Sequence, residues 1–93
     1  MIEFEWDPDK AVMNRTKHGV TFEEARTIFG DPFELTVGDP DHSEGEFRFL
    51  SIGQSLAGRL LVVAYTERQP NKIRIISART ASQAEQRQYE PRH

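Results

Sequence analysis

The sequence predicts an α+β fold of two layers. The expected order is β-α-α-β-β-β-β-α, an antiparallel sheet packed against two N-terminal helices, with a short helix at the C-terminal end. Three observations carry this expectation. Short, turn-rich links join the last four strands, and links of that length force antiparallel pairing. Two capped helical stretches precede those strands and can cover one sheet face. A second capping-box spacing follows the last strand.

The elements follow in chain order. Ile2, Phe4 and Trp6 alternate with Glu3 and Glu5, the pattern of a half-buried strand. Asp7-Pro8 supplies an N-cap and a proline at the first helical position, and Asp9 adds negative charge at the positive helix end. That helix is expected to run to about Lys17 and to stop at Gly19. Thr21 and Glu24 stand at capping-box spacing, with Val20 and Ala25 placed as a hydrophobic staple. Phe22, Ala25, Ile28 and Phe29 recur at helical spacing until Gly30-Asp31-Pro32 ends the run.

Phe33, Leu35 and Val37 predict a second strand, and the loop from Gly38 to Gly45 is dense in turn formers. Glu46 to Gln54 predicts a third, with Phe47 and Phe49 on one face and Leu50 and Ile52 on the other. Leu60 to Tyr65 is almost unbroken apolar, which suits a central strand covered on both sides. Pro70-Asn71 closes a hairpin into a fifth strand marked by Ile73, Ile75 and Ile76. Thr80 and Gln83 are the second capping-box pair, opening a helix to about Tyr89 before Pro91.

The 93 residues are expected to form one domain (1–93), with one core and no deep cavity. No cysteine is present, which excludes disulfides, thiolate metal sites and a cysteine nucleophile. No apolar run approaches a membrane span, and residues 1–5 lack a signal-type pattern, so a cytoplasmic protein is the expectation. Asn14-Arg15-Thr16 matches a glycosylation acceptor by pattern only.

Charge is divided unevenly. Residues 1–47 hold 12 Asp/Glu against 4 Lys/Arg, and residues 48–93 hold 3 against 8. A basic second half suggests a polyanion partner; the plainer reading is two solvated faces of opposite sign. The basic half concentrates at Arg48, Arg59, Arg68, Lys72, Arg74, Arg79 and Arg87, with Lys17 at the end of the first helix. Arginine keeps its charge at any relevant pH and binds phosphate through two donors. Arg74 and Arg79 stand five apart, an odd separation that a regular strand points to opposite faces; Arg79 is expected past the strand, where a turn re-aims it.

Candidates for proton transfer are His18, Glu67 and Tyr89. His18 carries an imidazole, the usual side chain for general acid–base work, though a histidine at a helix C-terminus also serves as a cap. Glu67 lies two residues after Tyr65 on the same strand face, and Glu85 and Tyr89 share a helix side. The acidic loop Asp39, Asp41, His42, Glu44, Glu46 lacks the spacing of a calcium-binding loop, and no metal or other cofactor is expected. Phosphate-cradling glycine loops and Gly-x-Ser-x-Gly are absent.

Several strings together resemble the BrnT family of bacterial toxins. They are Phe4-Glu5-Trp6-Asp7, Asn14-x-x-Lys17-His18-Gly19-Val20-x-Phe22-Glu23-Glu24-Ala25 and Phe29-x-Asp31-Pro32. Asp39-Pro40-Asp41-His42-Ser43, Arg48-x-x-x-Ile52-Gly53, Arg74-Ile75-Ile76-Ser77-Ala78-Arg79 and Glu85-x-x-x-Tyr89-Glu90 continue the match along the chain. The resemblance implies a RelE-like fold and a ribonuclease toxin of a type II toxin–antitoxin pair. It also implies neutralisation by a BrnA-type antitoxin, as a heterotetramer that reaches operator DNA through the antitoxin. The last helix of similar proteins is often rich in arginine, whereas Thr80 to Tyr89 offers Arg87 alone.

On these grounds the expected activity is metal-independent cleavage of RNA by its own 2′-hydroxyl, inhibiting translation and growth. Arg74 and Arg79 would stabilise the phosphate, and His18, Glu67 and Tyr89 would move protons. Lys17, Arg48, Arg68, Lys72 and Arg87 would bind RNA. The alternative is a non-catalytic module that docks an antitoxin and assists repression of its operon.

Overall fold

The computed structural model describes residues 1–39 and 45–90. Its elements are β1 (Glu3–Glu5), α1 (Pro8–His18), α2 (Phe22–Ala25) running into a 3₁₀ segment (Arg26–Gly30), β2 (Leu35–Gly38), β3 (Arg48–Gln54), β4 (Leu60–Arg68), β5 (Lys72–Thr80) and α3 (Gln83–Tyr89). Among the described residues the sheet has five strands in the order β1-β5-β4-β3-β2.

Strands β2 to β5 pair antiparallel, as their short links require. β1 pairs parallel to β5, so the sheet is mixed and the all-antiparallel expectation is corrected. The physical reason is the crossover. The chain leaves β1 through the helical layer and returns to the far edge at β2, which leaves the open side of β5 for β1.

The first helix follows its sequence signals. Asp7 caps it by accepting from the Asp9 amide at 2.8 Å, and Gly19 ends it in the left-handed region at φ 68°, where a side chain would be strained. Thr21 caps α2, but the box is only half made: the Glu24 carboxylate turns instead to Arg59 and Ser55. One helical turn later the segment tightens to 3₁₀, rather than remaining α-helical to Gly30. Gly53 of β3 lies against this segment, and a Cβ on it would stand 3.0 Å from Ile28 Cβ and 3.2 Å from the Ile28 carbonyl.

The main core lies between the helices and one sheet face. Val20, Phe22, Ala25 and Ile28 pack on Leu61, Val63, Tyr65, Ile73, Ile75 and Ala78, with Phe4, Trp6, Ala11, Phe29 and Phe49 around them. On the other face a smaller cluster joins Ile52, Val62 and Tyr89, covered by α3. β4 is the middle strand and is buried from Leu61 to Thr66, as its apolar run predicts.

Asn14 was not singled out for structure by its sequence context, yet it ties the two layers together. Its side-chain amide donates to the Ala78 carbonyl (2.8 Å) and the Val20 carbonyl (2.9 Å), and its carbonyl accepts from the Ala78 amide (3.0 Å). It therefore imitates a strand residue along the β5 edge that β1 does not reach. This use of the amide also leaves the Asn14-Arg15-Thr16 pattern no accessible acceptor, since Asn14 is buried.

The final helix begins later than its first box spacing implies. Thr80 remains in β5, opposite Leu61, and the cap is Ser82, which forms a complete box with Glu85. The strand ladder outcompetes a local cap at Thr80 because it satisfies the same backbone groups inside a sheet.

Candidate nucleic-acid interface

The sheet face turned away from α1 and α2 carries the basic residues. Alternation and register place Arg48 of β3, Thr66 of β4 and Arg74 of β5 in one cross-strand row, with Glu5 of β1 beside Arg74. Arg68 and Lys72 form the next row, and Arg79 lies further along β5 opposite Val62.

Arg74 and Arg79 reach the same face because of a bulge. Tyr65 faces Ile75 but Ala64 faces Ser77, so Ile76 is an extra residue in β5. One extra residue reverses the alternation and cancels the odd separation. Arg79 accordingly stands within β5, not past it, and the bulge does the re-aiming that was expected of a turn.

Glu5 is the hub of the near end of this face. Its carboxylate lies 3.1 Å from Arg74, 3.6 Å from Arg68 and 3.8 Å from Lys72. Arg68 also donates to Glu46 at 2.8 Å. The side chains of Arg68, Lys72 and Arg74 are all more than a third exposed, so these pairs sit in solvent and exchange partners cheaply.

Arg79 is held differently. Its guanidinium grips Glu85 with two hydrogen bonds of 2.7 and 2.8 Å, tying α3 to the sheet. These bonds from Arg79 lower the Glu85 carboxyl to about 2, helped by the Ser82 amide and opposed by burial. The same pairing raises Arg79 above its ordinary value.

Thr66, between Arg48 and Arg74, is buried to 4% exposure, and its hydroxyl has no hydrogen-bond partner among the described residues. A buried hydroxyl left unpaired costs about 1–3 kcal/mol, which a valine of the same shape would avoid.

The proton-transfer candidates do not converge with equal ease. His18 lines a groove between α1 and the edge of β5 with Lys17, Ile76 and Ser77, and Ser77 has the same strand parity as Arg79. Glu67 is exposed but lies opposite Ile73, on the helix-covered face and away from the arginines. The Tyr89 ring packs on Ile52 and Val62, and its hydroxyl donates to Asp31, which also accepts from the Gln54 amide. Tyr65, on the helix side, accepts from Ser51 at 3.0 Å, and burial raises its phenol. Lys17 and Arg87 are exposed on α1 and α3. Arg59, from the basic half, is taken up structurally by Glu24 and the Gly19 carbonyl.

Asp41, His42 and Glu44 of the acidic loop lie outside the described residues. Among the described residues no three His, Asp or Glu side chains are grouped as metal ligands. Sequence reasoning missed Glu5, Asp31 and Thr66 as parts of this face, and named Glu85 only as sharing a helix side with Tyr89. The i,i+3 spacing of Ser82 and Glu85 was a further signal, and it pointed to a cap.

Two comparisons place the chain among known proteins. The chain is similar in fold to the crystal structure of the Brucella abortus ribonuclease toxin BrnT, with a TM-score of 0.65 at 22% identity, over 89% of this chain and all of that one. No curated protein matches it. No described helix is long and apolar enough to cross a membrane. The family model for BrnT, the ribonuclease toxin of a type II toxin–antitoxin system, matches residues 6–85, and the chain therefore belongs to the BrnT family of ribonuclease toxins.

Proposed function

We propose that this chain cuts RNA internally and without a metal, and that the arginine face is where the phosphate is held. One observation carries this reading: the bulge at Ile76 gathers Arg74 and Arg79 on the face that already bears Arg48, Arg68 and Lys72. The chemistry asks little of the protein beyond positioned charge. A base takes the 2′-hydroxyl proton, the 2′-oxygen bonds to phosphorus, and the bond to the 5′-oxygen breaks as an acid protonates that oxygen. The products are a 2′,3′-cyclic phosphate and a 5′-hydroxyl. Guanidiniums on the non-bridging oxygens stabilise the charge that builds there, commonly the largest catalytic contribution.

Arg74, with Arg48 in the same row, is assigned to the scissile phosphate; Arg68 and Lys72 would hold a neighbouring one. Arg79 acts mainly as a positioning residue through its grip on Glu85. His18 is the favoured proton-transfer group, because it lines the same groove as Ser77 at the β5 edge, while Glu67 lies on the other side and the Tyr89 hydroxyl is engaged by Asp31. Lys17 beside it, and Arg87 on α3, would meet flanking RNA.

The wider reading follows from the family. Cleavage would inhibit translation in the cytoplasm, and a BrnA-type antitoxin would neutralise it by covering this face. The complex would be a heterotetramer that contacts operator DNA through the antitoxin. Two N-terminal helices over a hairpin-linked sheet support a RelE-like reading of the fold, with β1 added in parallel.

A second reading has its own observation. Arg68, Arg74 and Arg79 each already hold a carboxylate, as they would hold acidic side chains of a partner. A docking module without catalysis would be harmless when expressed without antitoxin, whereas the enzyme would arrest growth with loss of RNA. The direct experiment incubates purified protein with RNA and a chelator. Cut RNA ending in cyclic phosphate is the expected result. Uncut RNA, or cutting that chelator abolishes, would contradict it.

A further inference from the structure

Thr66 is the residue on the arginine face that the ion pairs do not explain. It is nine-tenths buried, its hydroxyl is unpartnered among the described residues, and its cross-strand neighbours are Arg48 on one side and Arg74 on the other. Directly opposed residues on one sheet face have Cβ atoms about 4.5–5.5 Å apart. Two guanidinium-bearing side chains rooted on either side of a hydroxyl offer the donors that the non-bridging oxygens of a phosphodiester accept from. Resting on the ribonuclease reading, we propose that the Thr66 hydroxyl is the third donor to the RNA phosphate held between Arg48 and Arg74.

Several features fit that role. Buried polar groups are nearly always satisfied, so one that is not calls for a partner supplied from outside. The two flanking side chains are long and flexible. Arg74 lies 3.1 Å from Glu5, a carboxylate also within 3.8 Å of Arg68 and Lys72. When Arg74 turns to a phosphate, Glu5 keeps those two cations. In the adjacent row Ala64 and Ser77 are small, with Leu50 of β3 beside Ala64.

The test compares Thr66→Val, Thr66→Ser and Thr66→Ala with the wild-type chain. Thr66→Val keeps the shape and deletes the hydroxyl. It is expected to raise the melting midpoint by a few degrees while lowering kcat/KM for RNA by about 10- to 100-fold. Thr66→Ser is expected to stay within about threefold of wild type, because a serine hydroxyl can still donate. Gain of stability with loss of cleavage separates a ligand role from a packing role, which would lose both together. If Thr66→Val does not fold, the Ser and Ala variants decide: an active Ser and an impaired Ala support the assignment. Equal cleavage by wild type and Thr66→Val, or by Ser and Ala, overturns it and leaves the ribonuclease reading standing. A wild-type protein that cuts no RNA overturns that reading itself, and the Thr66 role with it.

Discussion

Arg74→Ala is expected to cut RNA about 10²- to 10³-fold more slowly than wild type while folding normally. The rate loss is that of removing one preorganised donor from a developing oxyanion, on the order of 3–4 kcal/mol. Normal folding is expected because Glu5, the carboxylate it leaves, keeps Arg68 and Lys72 within 3.8 Å. Arg74→Lys separates charge from geometry. It preserves the ion pair with Glu5 but cannot present the planar two-donor fork, so it should recover only part of the rate. Initial cleavage rates on a short RNA, with circular dichroism to confirm the fold, check both variants. Full activity of Arg74→Ala would remove this residue from the site.

The largest structural effect is expected from Asn14→Ala. The change strips partners from the Ala78 amide, the Ala78 carbonyl and the Val20 carbonyl, all in the buried seam between α1 and β5. Each orphaned buried group costs about 1–3 kcal/mol, so for three such groups a loss of at least ~3 kcal/mol is expected, a large share of a small domain's stability. In a chain of this size that lowers the melting midpoint by at least ~12 °C. Asn14→Asp should be no better, since a carboxylate cannot donate to the two carbonyls. Thermal unfolding of the two variants measures this. A shift of only a few degrees would show that β5 does not depend on Asn14 for its free edge.

Much of the fold could be read along the chain because its signals are local. Asp7-Pro8 and Gly19 bound α1 as expected, and the apolar run from Leu60 fixes β4 as the middle strand. The misread features depend on non-local pairing. β1 alternates like any edge strand, and nothing in Ile2 to Trp6 says that its neighbour runs parallel. The box at Thr80 and Gln83 is a sound local motif, but Thr80 is claimed by Leu61 across the sheet, and Ser82 becomes the cap.

For the site, the residue types were legible but their facing was not. Arg48, Arg68, Lys72, Arg74 and Arg79 were all identifiable as basic. Whether Arg79 joins the others on one face turns on a single extra residue, Ile76, which no composition or periodicity distinguishes from its neighbours Ile73 and Ile75. Glu67 illustrates the converse. It stands one residue from Arg68, and that single step puts it on the opposite face. Partners such as Glu5 and Glu85 come from distant or later elements, so their pairing with arginine emerges only from the folded register.

The central claim is that RNA lies across the face bearing Arg48, Thr66 and Arg74. Its most direct measurement is backbone amide NMR of the chain titrated with an RNA whose 2′-hydroxyls are methylated, so that it binds without being cut. The account expects shifts concentrated at β3, β4 and β5 around Arg48, Thr66 and Arg74, extending to the β5 edge near Ser77 and His18. Shifts confined to the outer surfaces of α1 and α2, with the arginine row unmoved, would contradict it.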